Sequence, residues 1–205
     1  MHNYDRASEI SQDVIQQAKN LGRAWIRDWA FSDFIKAKIR SGQRGDADLD
    51  KVVKEINSMG VAIPEDAKIE LDLVTGKLES ALKQSVELCS ISSDRGDKTY
   101  YLDSLELQLR VLLKMQKPEE AIQLADKGIK MAEEMSYLPM LWRIRAIRAQ
   151  ALEGIGDRSE AAQEYESAAR IIHRLAGNIP QAELRQTFLS DPQVYLVIER
   201  AKLYS

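Results

Sequence analysis

The residue types that most often act as nucleophiles, general bases or soft metal ligands are scarce in this sequence of 205 residues, which holds one cysteine and two histidines. His2 lies in the first few residues, and His173 lies on a predicted helix with no nucleophile near it in the chain. Cys89 lies on an apolar helix face, without a neighbouring histidine or lysine to activate it. A catalytic triad or a Cys/His metal site needs more of these groups at defined spacings. We therefore expect no enzyme activity, no metal and no cofactor.

Carboxylates and glycines offer no stronger indication of chemistry. Adjacent carboxylates occur at Glu119–Glu120 and Glu133–Glu134, but each pair belongs to a charge-rich turn of a predicted helix and has no histidine partner. No glycine-rich loop shows the spacing to a Lys-Ser or Lys-Thr pair that cradles nucleotide phosphates. A helix cap or a solvated helix face explains these residues without a ligand.

The charge balance excludes some classes of partner. The chain has 29 Lys and Arg against 32 Asp and Glu, a net charge of -3, so no basic excess is present to neutralise the phosphates of a nucleic acid. No run of 18 apolar residues occurs, so we expect no membrane association. The polar first residues and the single cysteine predict a cytoplasmic protein without disulfides.

Helical periodicity extends over almost the whole chain. Apolar residues recur at steps of three and four, as in Ile10, Val14, Ala18, Leu21, Trp25 and Trp29, which is the period of a helix with one buried face. Clusters of Gly, Pro, Ser and Asp interrupt the pattern and predict roughly nine or ten helices. Pro118 is expected in a first helical turn, and Asp157 and Asp191 are expected to cap helix N-termini. The predicted fold class is all-α.

Two parts of the sequence align at an offset of 40 residues. Residues 117–122 (KPEEAI) match residues 157–162 (DRSEAA), and farther along Gly128 aligns with Ala168. A third, weaker copy begins at Gly76. Small residues at these positions let the two helices of a hairpin approach closely, and repeated hairpins can then stack into one continuous core.

The segment 156–162 (GDRSEAA), followed by Tyr165 and Ala168, resembles the second half of a tetratricopeptide repeat. The 40-residue offset is similar to the longer-helix variety of this family. The ending from Ile171 to Leu189 resembles the C-terminal end of tetratricopeptide regions attached to bacterial nucleotide cyclases, signalling ATPases and transcriptional activators.

The resemblance implies a right-handed superhelical stack of antiparallel helical hairpins with about three repeats. We expect residues 60–205 to hold the repeats and a C-terminal capping helix. Residues 1–59 are expected to form an N-terminal helical segment packed on the stack, either a divergent repeat or a separate element.

The resemblance also implies a function and a site. In this family the first helix of each hairpin lines a concave groove that holds a peptide or a partner helix. The positions that correspond to the groove are Glu106, Arg110, Lys114, Arg143, Ala146 and Gln150. We therefore expect a non-catalytic protein–protein interaction module, a scaffold or adaptor, whose cationic groove residues suit an acidic side chain or a C-terminal carboxylate.

Two alternative functions stay open at this point. One is a regulatory domain that senses a peptide or small ligand and controls a signalling or transcription effector. The other is a homodimerisation module, in which Trp25, Trp29 and Phe34 bury a two-fold interface. We expect core packing for these three aromatic residues, because aromatic residues at helical spacing usually face inward, and an exposed apolar patch would favour the dimer instead.

Overall fold

The structure, a computed structural model, describes residues 4–42 and 63–204, with Val53, Lys54, Ile56 and Ser58 between those ranges. These residues form ten α-helices and no β-strand, which confirms the all-α prediction for this part of the chain. The chain divides into two compact units, Met1–Gln84 and Ser85–Ser205, called here the N-terminal and C-terminal units. The predicted boundary after residue 59 lies outside the described residues.

The helices are numbered in chain order. They are α1 (Tyr4–Asn20), α2 (Ala24–Gly42), α3 (Glu65–Val74), α4 (Leu78–Asp94), α5 (Lys98–Lys114), α6 (Pro118–Glu134), α7 (Leu138–Gly154), α8 (Arg158–Gly177), α9 (Ala182–Leu189) and α10 (Pro192–Leu203).

The N-terminal unit is built around α2, which packs along α1 and against α3. Its core is a cluster of apolar side chains from α2, α3 and the segment between them: Phe31, Phe34, Ile35, Ile39, Ile56, Ala67 and Leu71. Burial of this surface drives the packing, at about 25 cal/mol per Å² of apolar area. Four of these residues lie on α2, so one face of this helix holds most of the core.

A polar contact also joins α2 to the first turn of α3. Asp66 accepts a hydrogen bond of 2.7 Å from Ser32 Oγ and pairs with the ammonium of Lys36. Burial opposes ionisation of Asp66, but the charge of Lys36 and the hydrogen bonds from Lys36, Ser32 and the backbone N–H of Ala67 outweigh it, so the pKa lies below its ordinary value. This contact therefore stabilises the fold at neutral pH and is lost as the pH falls through the lowered pKa.

From α4 onward the helices start every 20 residues, at residues 78, 98, 118, 138 and 158. The residue two places before each start has a positive φ: Gly76, Gly96, Gln116, Ser136 and Gly156. After α5, for example, the N–H of Lys117 donates to the carbonyl of Leu112, and the same bond recurs at Tyr137 and Asp157. A left-handed residue after the last helical turn lets the following backbone N–H groups donate to carbonyls of that turn, which would otherwise have no partner.

The helix-start signals have the roles that their sequence predicts. Pro118 opens α6. The Asp157 carboxylate accepts from the backbone N–H of Glu160 at 3.0 Å, and Asp191 accepts from Gln193 at 2.9 Å. Free N–H groups of α8 and α10 are thus capped at the positions that the sequence predicts, and Pro118 lies in the first turn of α6, where its missing N–H leaves no donor unpaired.

Small residues lie where the helices approach most closely. The equivalent positions Ala81, Ala121 and Ala161 are all fully buried. A Cβ atom at Gly128 would lie 2.8 Å from Leu105 Cδ2 and 3.1 Å from Ile144 Cδ1, so α6 approaches α5 and α7 at a point where even alanine would force its neighbours to move.

The last helices pack on α8, and α10 joins a core cluster with α7. Glu153, at the end of α7, accepts from Tyr165 Oη at 2.9 Å and from Tyr204 Oη at 2.6 Å. Arg200 of α10 pairs with the same carboxylate at 3.1 Å. This partly buried set of hydrogen bonds fixes α10 against the hairpin formed by α7 and α8.

The left-handed conformation of the turn residues predicts that Gly156 cannot be replaced without a loss of stability. Its φ of +86° is one that side-chain-bearing residues rarely adopt, so Gly156→Ala should lower the free energy of unfolding by about 1 kcal/mol. The matched control is Gly154→Ala, because Gly154 is helical and its Cβ would make only ordinary contact with Pro118 at 3.6 Å. Urea unfolding should show a loss for the first variant only. Equal effects would contradict the turn geometry.

Candidate functional site

The predicted groove residues of α5 lie one turn apart along this helix. Lys114 is exposed and Arg110 is partly exposed. Glu106 is 9% exposed and pairs with Arg110, with 3.7 Å between the carboxylate and the guanidinium. Only Lys114 and Arg110 therefore present charge to a ligand, and the charge of Arg110 is partly balanced by Glu106.

The α7 residues of the predicted groove divide into two kinds. Gln150 is exposed and Arg143 is partly exposed. Ala146 is buried in the core cluster that includes Val194 and Val197 of α10. The expectation that Ala146 lines an open groove is wrong, because its side chain is buried in this cluster, to which α7, α8 and α10 all contribute.

Arg143 is the least satisfied polar side chain of this surface. Its Nε atom is buried and has no hydrogen-bond acceptor among the described residues. The guanidinium lies 5.6 Å from the ring centre of Trp142, within the range of a cation–π contact. A buried donor without an acceptor costs about 1–3 kcal/mol, so the guanidinium of Arg143 is held here without a compensating hydrogen bond at Nε.

Asp103 of α5 and Tyr137, the residue before α7, lie near Arg143. Burial raises the pKa of Tyr137, the Asp103 carboxylate raises it further, and Arg143 lowers it. The three side chains therefore lie within electrostatic reach of one another. Asp103 and Tyr137 are absent from the sequence prediction, although the 40-residue offset aligns Asp103 with Arg143. The surface carries mixed charge, with cationic Lys114 exposed at the far end of α5.

A separate group of ion pairs joins α6, α7 and α8. Arg145 Nη1 donates to Glu164 of α8 at 2.8 Å, and Nη2 pairs with Glu133 of α6. These two contacts define the structural role of Arg145. It bridges both neighbouring helices with charge-assisted hydrogen bonds.

Arg148, one turn farther along α7, makes the same kind of bridge. It donates to Asp126 of α6 at 2.7 Å and to Glu160 of α8 at 2.6 Å. Burial lowers the pKa of Arg148, but the hydrogen bonds and charges of these carboxylates outweigh it and raise the pKa overall. Both arginines are occupied by carboxylates of the chain itself, so this face is structural.

Two of the residues considered for catalysis, Cys89 and His173, belong to the described part of the chain. Cys89 is buried, and its Sγ donates to Gln108 Oε1 at 3.7 Å. Burial raises the pKa of this thiol to about 11. His173 is exposed, while His2 lies outside the described residues. Within the described ranges, no group of three or more His, Cys, Asp or Glu residues is placed to hold a metal ion.

The aromatic residues of α2 separate into a buried and an exposed set. Phe34 is fully buried and stacks on Phe31, with 6.2 Å between ring centres. Trp25 and Trp29 are 65% and 74% exposed and meet edge to face at 6.4 Å. Core packing is thus confirmed for Phe34 and wrong for the two tryptophans. They lie on the same face of α2 as exposed Asp33.

Comparisons with known proteins do not identify a family. No protein-family model matches the chain, and no curated protein matches it. Across the described helices, none is long and apolar enough to cross a lipid bilayer. The function must therefore be argued from the contacts described above.

Cys89 gives a prediction about reactivity. Because its pKa rises from 9.0 to about 11, the thiolate fraction near neutral pH falls ~100-fold. Dithionitrobenzoate should react with native Cys89 at least that much more slowly than with an exposed thiol. The comparison is the double variant Cys89→Ala with Ser93→Cys, since Ser93 is exposed on the same helix. Equal rates in the two native proteins would show that Cys89 is accessible and activated.

Proposed function

We propose that this chain is a non-catalytic protein-binding module built as a tetratricopeptide-like stack of helical hairpins. The support comes from four helices of 17 residues that start every 20 residues, and from the small buried residues that recur every 40. Regularity of this kind is typical of repeat proteins, whose stacked hairpins present extended binding surfaces.

The binding surface proposed here consists of Asp103, Arg110, Lys114, Arg143 and Gln150, and is called the α5–α7 surface. Helices α5 and α7 contact each other within the C-terminal unit, so their polar residues belong to one surface. The side of α7 with Arg145 and Arg148 is occupied by carboxylates of α6 and α8. The α5–α7 surface lies away from these bridges and includes the exposed ammonium of Lys114 and the partly exposed guanidinium of Arg143.

The observation that carries this proposal is the guanidinium of Arg143. It is partly exposed, and its buried Nε–H has no acceptor, while the exposed ammonium of Lys114 lies at the opposite end of the surface. A peptide with carboxylates spaced to meet both cations would gain charge-assisted hydrogen bonds from the exposed part of the guanidinium and Coulomb attraction at Lys114. An acidic peptide or a C-terminal carboxylate is the ligand chemistry that fits.

The mechanism depends on the rigidity of the surface. The helices that carry the α5–α7 surface are held by packing and by the Arg145 and Arg148 bridges. The module therefore loses little conformational entropy on binding, and the ordering cost falls on the peptide. Specificity then comes from the spacing of Arg143, Lys114 and the carboxylate of Asp103, which would repel a wrongly placed acid.

The test is an array of acidic peptides with free or amidated C-termini, read by fluorescence polarisation. Arg143→Gln and Lys114→Glu should each weaken the best peptide by roughly 10-fold, because each removes one charge-assisted contact. The control is Lys127→Glu, an equal charge change at an exposed residue of α6. Circular dichroism should show equal helix content in all variants.

Two results would contradict the proposal. One is an array in which no acidic peptide binds. The other is an equal loss for Lys114→Glu and Lys127→Glu, which would show that net charge rather than the α5–α7 surface attracts the peptide.

A further inference from the structure

A second surface lies in the N-terminal unit and plays no part in the proposed function. Trp25, Trp29 and Asp33 follow one another at four-residue steps along α2 and are all exposed. This set is called the α2 stripe. Because an α-helix has 3.6 residues per turn, the three side chains lie on one face.

The exposure of the α2 stripe is not a consequence of a weak core. The neighbouring residues Ala30, Phe31 and Phe34 are buried, and the two indole rings contact each other in an edge-to-face arrangement. Two adjacent tryptophans at the surface form an apolar patch of a kind that monomeric proteins usually cover. Tryptophan is also enriched among the residues that dominate interface energies.

The charges around the α2 stripe indicate what covers it. Asp33 ends the stripe, while Arg23 is exposed immediately before the helix begins. The first turn of α2 contains no acidic residue, so the positive end of the helix dipole adds to the charge of Arg23. One end of the stripe therefore carries the positive charge of Arg23 and the other the negative charge of Asp33. The charge of Lys36, one turn beyond Asp33, is balanced by Asp66.

A stripe with this polarity is complementary to its own copy in the antiparallel direction. If Trp25 lies opposite Trp29 of a second copy, two-fold symmetry places Trp29 opposite the other Trp25. In the same register Asp33 lies opposite the turn of residues 21–23 of the second copy, within reach of Arg23. The tryptophans are then buried in the centre, and an ion pair closes each end.

We propose that the α2 stripe is a two-fold interface between two copies of this chain. The inference does not depend on the α5–α7 surface, since it rests on other residues in another unit. An anionic lipid surface is the less suitable occupant, because Asp33 and the nearby Asp28 would be repelled by it. The antiparallel register requires Asp33 of one copy to pair with Arg23 of the other. Exchanging these two charges tests that requirement.

The experiment is sedimentation velocity on the full chain over a wide range of concentrations. The chain should dimerise, and its tryptophan emission should shift to shorter wavelength as the dimer forms. Trp25→Ala and Trp29→Ala should each weaken the dimer by roughly 10-fold or more. Asp33→Arg and Arg23→Asp should each weaken it too, and the double variant should restore it, since the ion pair is re-formed with its charges exchanged.

The matched control is Glu166→Arg, which makes the same charge change as Asp33→Arg at an exposed residue of α8. It should leave the dimer unchanged. A chain that is monomeric at every concentration would overturn the proposal, and an emission shift of that monomer on anionic vesicles would assign the stripe to a lipid surface. A dimer that survives both tryptophan substitutions, or a double charge variant without recovery, would also overturn it.

Discussion

The close approach of neighbouring helices at small side chains is the constraint on which the C-terminal unit depends. Gly128 has no room for a Cβ atom beside Leu105 and Ile144, and Ala121 and Ala161 are fully buried. Each helix must therefore meet its neighbour in one register, because a larger residue at these points would separate the pair. A turn residue with a left-handed conformation recurs every 20 positions. Each helix therefore ends at an equivalent position, and the same contact between neighbouring helices is repeated.

This regular packing decides which side chains of α7 are available for binding. One side of the helix is held by the Arg145 and Arg148 bridges to α6 and α8. Ala146 is buried in the core cluster that α7, α8 and α10 share, and Glu153 fixes α10. The α5–α7 surface lies apart from these contacts, and its rigidity follows from them. The α2 stripe is exposed although α2 packs on both α1 and α3.

Local features of this fold could be predicted from the sequence, and features that depend on neighbouring helices could not. Pro118, Asp157 and Asp191 begin helices as expected, because capping needs only residues close in the chain. Gln116 and Ser136 adopt a left-handed conformation without the glycine that usually signals it. The burial of Ala146 and the pairing of Arg145 each depend on other helices. Helical spacing predicted one face for Trp25 and Trp29 correctly but could not show that these two side chains are exposed.

The most direct test of the packing account is the free energy of unfolding of Ala161→Leu, measured in urea beside Ala182→Leu. Ala161 is fully buried, whereas Ala182 is exposed at the start of α9. The account predicts a loss of roughly 1–3 kcal/mol for the buried substitution, through overpacking between helices, and a change of at most about 0.5 kcal/mol for the exposed one. An equal stability of the two variants would contradict the close helix approach and, with it, the position of the α5–α7 surface.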